Sequence, residues 1–116
     1  VIEGRMLTFV IANGCFFGDG ICIAPDAKIN DGVFSLVRVG DISMRDYILN
    51  TRKLRKKLKI DHPKISYHKA DTIEIFPKKY SCAIETDGEF AGYAPAKVTM
   101  LHNRISFIGT LSQGIQ

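Results

Sequence analysis

Residues 72–101 read TIEIFPKKYSCAIETDGEFAGYAPAKVTML, and the fold turns on how this stretch divides. TIEIF (72–76), YSCAIET (80–86), EFAGYA (89–94) and AKVTML (96–101) are each too short for an ordinary helix. Pro77, the Asp87-Gly88 pair and Pro95 separate them. Short runs rich in β-branched and aromatic residues, bounded by such breakers, read as strands. Asp-Gly between two of them signals a two-residue hairpin, because both central positions of that turn need positive φ. Glu89 follows the glycine directly, where a hairpin needs no acid. The residues alone leave two readings: a bare turn, or a turn that presents a carboxylate for chemistry.

On either side, ISYH (65–68) and RISFIG (104–109) extend the same pattern. Upstream, MLTFVIA (6–12) is a nearly continuous apolar run closed by Asn13-Gly14 and reads as a buried strand. VFSLVRV (33–39) alternates toward a half-buried one. One helix interrupts the strands. Ser43 and Asp46 match a capping box, and Met44, Tyr47, Ile48, Thr51, Leu54 and Leu58 fall on one stripe at helical spacing. The helix should stop before Pro63. Close-set strands with turn residues between them predict a mostly β, antiparallel sandwich or barrel with one amphipathic helix.

The chain has 116 residues, 46% of them apolar and 24% charged, which suits one globular domain over residues 1–116. No apolar span reaches membrane-crossing length, and no signal peptide opens the chain. The opening VIEGR contains a protease-recognition tetrapeptide, and it reads equally well as a native Glu-Gly turn entering the first strand. A start in mid-strand suggests a piece of something longer. Cys15, Cys22 and Cys82 have no metal spacing and sit among apolar residues, so reduced thiols in an intracellular protein are expected. Three scattered histidines make a His-based zinc site improbable.

The glycine-rich NGCFFGDGICIAP (13–25) is neither kind of familiar phosphate loop: it lacks Gly-Lys-Ser/Thr before a helix and the dinucleotide spacing. It reads as a loop with close backbone approaches. Asp31 in KINDGVFSL sits in a tight turn before a strand. It is either an Asx turn or, with neighbouring carbonyls, a hard-oxygen Mg²⁺ site. RKLRKKLK (52–59) holds six basic residues in eight. Such a run is a solvated helix end favoured by the macrodipole, or an attachment to an anionic membrane surface. Nucleic acid is disfavoured, since no recognised motif is present and the aromatics do not interleave with the run.

Taken in order, ANGCFFGDGICIAPDAKINDGVFSLVRVGD, a basic helix, ETDGEFAGYAPAKVTML and RISFIG together resemble the C-terminal domain of the diacylglycerol/sphingosine kinase-like lipid kinases. The similarity covers most of residues 6–108 and departs from the family at Cys15 and Asp19. It implies a β-sandwich that holds the lipid and closes a cleft against an N-terminal nucleotide domain, whose Gly-Gly-Asp-Gly-Thr loop is not in this chain. The Gly18-Asp19-Gly20 stretch is not that loop.

By position, the resemblance makes Glu89 the proton acceptor; Asp87 is expected to serve the turn and, with Gly88, to contact the nucleotide or metal. The resemblance also makes Asp31 a ligand of a structural Mg²⁺, with backbone oxygens of Lys28 and Val33. ATP is the implied co-substrate. The implied partners are the chain's own N-terminal kinase domain, a lipid substrate, the inner face of a membrane and a second copy in a homodimer, with no nucleic acid. An alternative of another class is a stand-alone β-sandwich that binds lipid and catalyses nothing.

Overall fold

A computed structural model describes residues 1–18, 20–106 and 108. Its elements in chain order are β1 (Thr8–Ala12), β2 (Phe16–Phe17), β3 (Ile21–Cys22), β4 (Phe34–Val39), α1 (Met44–Arg55), β5 (Ile65–Ala70), β6 (Thr72–Ile75), β7 (Ala83–Thr86), β8 (Glu89–Tyr93) and β9 (Ala96–Thr99). Every pairing is antiparallel. Among the described residues the fold is mostly β and sandwich-like with a single helix, as the sequence predicts.

The strands form a three-stranded sheet in the order β1-β4-β5 and three two-stranded ribbons, β2-β3, β6-β9 and β7-β8. β4 is the central strand, and this corrects the half-buried expectation for VFSLVRV. Flanked on both edges, it buries Ser35, Leu36, Val37 and Val39. β1 is the corresponding edge strand. It starts two residues later than expected, leaves Met6 and Leu7 exposed, and buries only Ala12.

The core is built from small side chains: Ala12, Cys15, Cys22, Ala24, Ala27, Val37 and Val39. Val10, Ile23, Ile42, Ile65 and Tyr67 pack against it. Cys15 and Cys22 serve as core hydrophobes. Burial, with the Cys15 thiol beside it, pushes the Cys22 thiol up to about 11. Cys82, expected among apolar neighbours, is exposed, and all three are free thiols. The tight β2-β3 ribbon explains two of the three glycines of residues 13–25. Gly18 (φ 56) and Gly20 (φ 70) occupy the left-handed region, and the Gly20 N–H donates to the Gly18 carbonyl at 3.0 Å.

The capping box is present with one difference. Ser43 Oγ accepts the Asp46 N–H at 3.1 Å and donates to Asp46 Oδ2 at 2.8 Å. The carboxylate thus returns to the hydroxyl rather than to the backbone. That bond holds the Asp46 carboxyl below its usual 3.8, so the cap's electrostatic support is complete above that pH and is lost as pH falls through the depressed value.

The helix stops at Arg55, with Lys57 in the left-handed region at φ 58, several residues before Pro63. The expected core stripe is not what packs. Leu54 is the one fully buried residue of α1, and Met44, Tyr47 and Ile48, with Leu58 just beyond, are exposed. The inward row is Asp46, Asn50 and Leu54, four residues apart, with Asp46 2.7 Å from Asn50 through its carbonyl and 3.5 Å from His62 through its carboxylate.

YSCAIET shortens to four paired residues, and Arg104–Ser106 are not strand. Phe107 and Gly109 of RISFIG lie outside the described residues. Among the described residues no helix is long and apolar enough to cross a membrane.

Candidate functional site

The hairpin predicted at Asp87-Gly88 is present. β7 and β8 pair with Thr86 opposite Glu89, leaving two turn residues, and Asp87 (φ 49) and Gly88 (φ 86) both take positive φ. That is the combination a primed two-residue turn requires. The register slips between Ile84 and Glu85, so Ile84 faces Gly92 while Glu85 faces Phe90. Such a bulge sharpens the twist of the ribbon.

The rings of Phe90 and Tyr93, both on β8, meet edge to face at 5.2 Å. Glu89 is therefore the first residue after a fixed turn, exposed on a short ribbon. Among the described residues no ion pair or side-chain hydrogen bond engages Asp87 or Glu89. A carboxylate held by its backbone and left free at its oxygens is able to accept a proton from a bound hydroxyl.

Lys28, Asp31 and Val33 share the loop between β3 and β4. Asp31 Oδ1 accepts the Val33 N–H at 3.3 Å, which is the Asx turn read from the sequence. Its other oxygen has a partner that the sequence does not announce. Lys69 Nζ donates to Asp31 Oδ2 at 2.9 Å. That hydrogen bond, more than any other influence, holds the Asp31 carboxyl below 3.8. The β4-β5 pairing sets Lys69 opposite Ser35 and so delivers the ammonium to a loop 38 residues upstream. No local motif could have revealed it, because the signal is a long-range strand register. Gly32 beside it has φ 75, and a Cβ there would sit 2.8 Å from His102 Nδ1. The turn thus needs glycine for its dihedral and for the imidazole that covers it.

Two clefts border this loop. One, of about 280 Å³, is lined by Asp26, Ser35, Lys59, Tyr67, His68 and Lys69, with Lys59 and Asp26 ion-paired across it. The other, of about 360 Å³, runs from Pro25 to Lys28 and shares Lys69. The six predicted site residues thus fall into two groups, one on the β3-β4 loop and one on the β7-β8 turn. Among the described residues no hydrogen bond or ion pair links the two groups.

A primed Asp-Gly-Glu hairpin and an Asp-Gly turn after a glycine-rich ribbon occur here in one antiparallel domain. Compared with known families, residues 2–109 match the YegS C-terminal NAD kinase beta sandwich-like domain. The chain belongs to this family. Similar curated proteins include the diacylglycerol kinase of Staphylococcus carnosus, 27% identical over 107 residues, which cover 90% of this chain and 34% of that protein. The diacylglycerol kinase of Staphylococcus haemolyticus is 29% identical over 107 residues, covering 90% of this chain and 32% of that protein. That of Bacillus subtilis is 22% identical over 108 residues, 93% of this chain and 35% of the relative. The chain spans about a third of the length of the curated relatives it matches.

The Mg²⁺ that the resemblance assigns to Asp31 would draw on one carboxylate and two carbonyls, hard oxygens of the type this ion takes. In the arrangement found, Lys69 already supplies the positive charge, and an ion reaches Asp31 Oδ2 only if the ammonium moves away. Among the described residues no three His, Cys, Asp or Glu side chains gather as a metal cluster. Millimolar Mg²⁺ is accordingly expected to leave the melting temperature unchanged, while Lys69→Met makes it Mg²⁺-dependent. A Mg²⁺-dependent rise in the unsubstituted protein would show instead that the ion displaces Lys69.

Proposed function

We propose that this chain is the lipid-side domain of an ATP-dependent lipid kinase acting on the hydroxyl of diacylglycerol or a related lipid. The observation that carries the reading is the unpaired Glu89 carboxylate on a backbone-fixed Asp-Gly turn, within a chain of the YegS C-terminal family. Relatives named diacylglycerol kinase over 90% of the chain support the substrate class.

In this reaction the lipid hydroxyl oxygen attacks the γ-phosphorus of ATP, the bond to the β–γ bridging oxygen breaks, and ADP leaves. Glu89 takes the hydroxyl proton as the new bond forms. Phosphoryl transfer asks of the protein mainly positioning and charge stabilisation. The turn supplies the first for the base by fixing the backbone on either side of it. Asp87 and Gly88 hold that turn at the edge of the nucleotide site. Mg²⁺ accompanies the ATP phosphates as part of the co-substrate.

The phosphates themselves need a cradle, which the described residues of this chain do not form. The partner that supplies it in this reading is a nucleotide-binding domain of the same protein. Exposed Phe76, Tyr80, Phe90 and Tyr93, on and beside the β6-β9 and β7-β8 ribbons, are apolar surface suited to docking it.

The test is transfer of labelled γ-phosphate to diacylglycerol in mixed micelles. The full-length protein is expected to phosphorylate the lipid and this chain alone is expected not to. Lipid binding by the full-length protein without any phosphoryl transfer would favour the non-catalytic lipid-binding sandwich.

A further inference from the structure

Among the described residues one polar or charged side chain is buried, that of Ser35, 7% exposed near the start of β4. It lines the cleft of about 280 Å³, and among the described residues no hydrogen bond engages its hydroxyl. A buried hydroxyl ordinarily has a partner. This one has the cleft in front of it instead.

The same face of the sheet gathers further donors there. The β4-β5 register sets Lys69 directly opposite Ser35 and Tyr67 opposite Val37, so Ser35, Tyr67 and Lys69 share that face. Lys59 reaches the cleft from the segment after α1. Its neighbour Ile60 is buried and donates its N–H to the Tyr67 hydroxyl at 3.0 Å, and the Lys59 ammonium lies 5.4 Å from the centre of the Tyr67 ring. Because the Tyr67 oxygen accepts that bond, its own proton remains for a ligand. Carboxylates steady both ammonium groups, Asp26 for Lys59 and Asp31 for Lys69. An ammonium has three protons, so each keeps donors beyond its ion pair. Lys28 lines the adjoining cleft with Lys69, and among the described residues it has no acidic side chain within salt-bridge distance.

We infer that the cleft of Ser35, Lys59, Tyr67 and Lys69 binds a small phosphate-type oxyanion, either inorganic phosphate or the phosphate group of a water-soluble monoester. Two hydroxyls and two ammonium groups with protons to give suit a ligand that carries negative charge and several acceptor oxygens. A carboxylate would leave part of that set unused. Lys28 adds the positive charge that the two ion pairs cancel. A volume of about 280 Å³ lies below the usual range for drug-sized ligands. Ala24 and Leu36 are the aliphatic part of the wall, too little to hold acyl chains. The ligand is therefore a soluble phosphate compound and not a lipid headgroup. This inference does not rest on the lipid-kinase reading.

The experiment follows the melting temperature of the full-length protein during titration with inorganic phosphate, against sodium chloride of equal ionic strength. A non-hydrolysable ATP analogue is kept present to fill any nucleotide site. A saturable rise is expected with phosphate alone. Lys59→Met should weaken the apparent affinity about tenfold, and Ser35→Ala about fivefold. Without phosphate, Ser35→Ala should not lower the melting temperature, since the hydroxyl it removes has no partner to lose. A purely structural serine would instead leave the phosphate affinity of that variant at the parental value. Lys59 is half-exposed, so its variant carries the test if Ser35→Ala folds poorly.

An equal rise with sodium chloride would overturn the inference, and so would parental affinity in both variants. Dihexanoyl phosphatidic acid separates the soluble source from the lipid one. A response to it that both substitutions weaken, with none to inorganic phosphate, would overturn the inference by placing a lipid headgroup in the cleft.

Discussion

Glu89→Gln in the full-length protein is expected to lower kcat for lipid phosphorylation by about 10²–10⁴, the usual cost of losing a general base. The substitution keeps the size of the side chain and removes its ability to take a proton. Neither KM for ATP nor the melting temperature should change appreciably. Glu89 is exposed and no described residue bonds to it, so the β7-β8 ribbon does not need its charge.

Asp87 makes the informative contrast. Its carboxylate has no partner among the described residues, and what the turn takes from it is a backbone at φ 49. Asparagine enters that region at least as readily. Asp87→Asn should therefore keep the fold, and any rate it loses reports on contact with nucleotide or metal. Asp87→Val should destabilise, since a β-branched residue resists positive φ. A Glu89→Gln enzyme that turns over at the parental rate, or one whose loss follows unfolding, would return the Asp-Gly-Glu stretch to a hairpin without chemistry.

Val37→Ala should be the most damaging conservative change to stability. Val37 is 1% exposed at the middle of β4, between Val10 of β1 and Tyr67 of β5. Removing two methyl groups there forfeits their transfer free energy and leaves a cavity that a strand paired on both edges cannot close. A loss of about 2–3 kcal/mol follows, which lowers the melting temperature by roughly 10 °C in a domain of this size. Ile48→Ala is the control. If the helix packed on its sequence stripe, Ile48 would cost about as much as Val37. Exposed as it is, its replacement should change stability by less than about 0.5 kcal/mol. Equal destabilisation by the two variants would mean that the outward face of α1 is covered.

These contrasts mark where the sequence stops. Strand existence, the Asp-Gly hairpin, the Ser43 cap and the Asx turn at Asp31 were all legible, because each depends on residues within about four positions of one another. Dihedral preference, capping geometry and side-chain alternation are local properties of the chain. The resemblance to lipid kinases was legible for a related reason, since short motifs at fixed separations survive when the rest of a sequence drifts.

Partnership across distance came only with the folded arrangement. β4 became a largely buried central strand because β1 and β5 flank it, and alternation within VFSLVRV carries no record of its neighbours. The apolar stripe of α1 predicted a core face, yet the helix turned Asp46, Asn50 and Leu54 inward. Leu54 alone of that row meets apolar packing, while Ser43 and His62 satisfy Asp46. Hydrophobic periodicity names a face but not what lies opposite it. Lys69 reached Asp31 through the register of β5 on β4, 38 residues away in the chain, and His102, beyond β9, came to lie over Gly32. The candidate base was thus written in the sequence, while the counter-ion of the candidate metal ligand and the exposed face of the helix were set only when the strands paired.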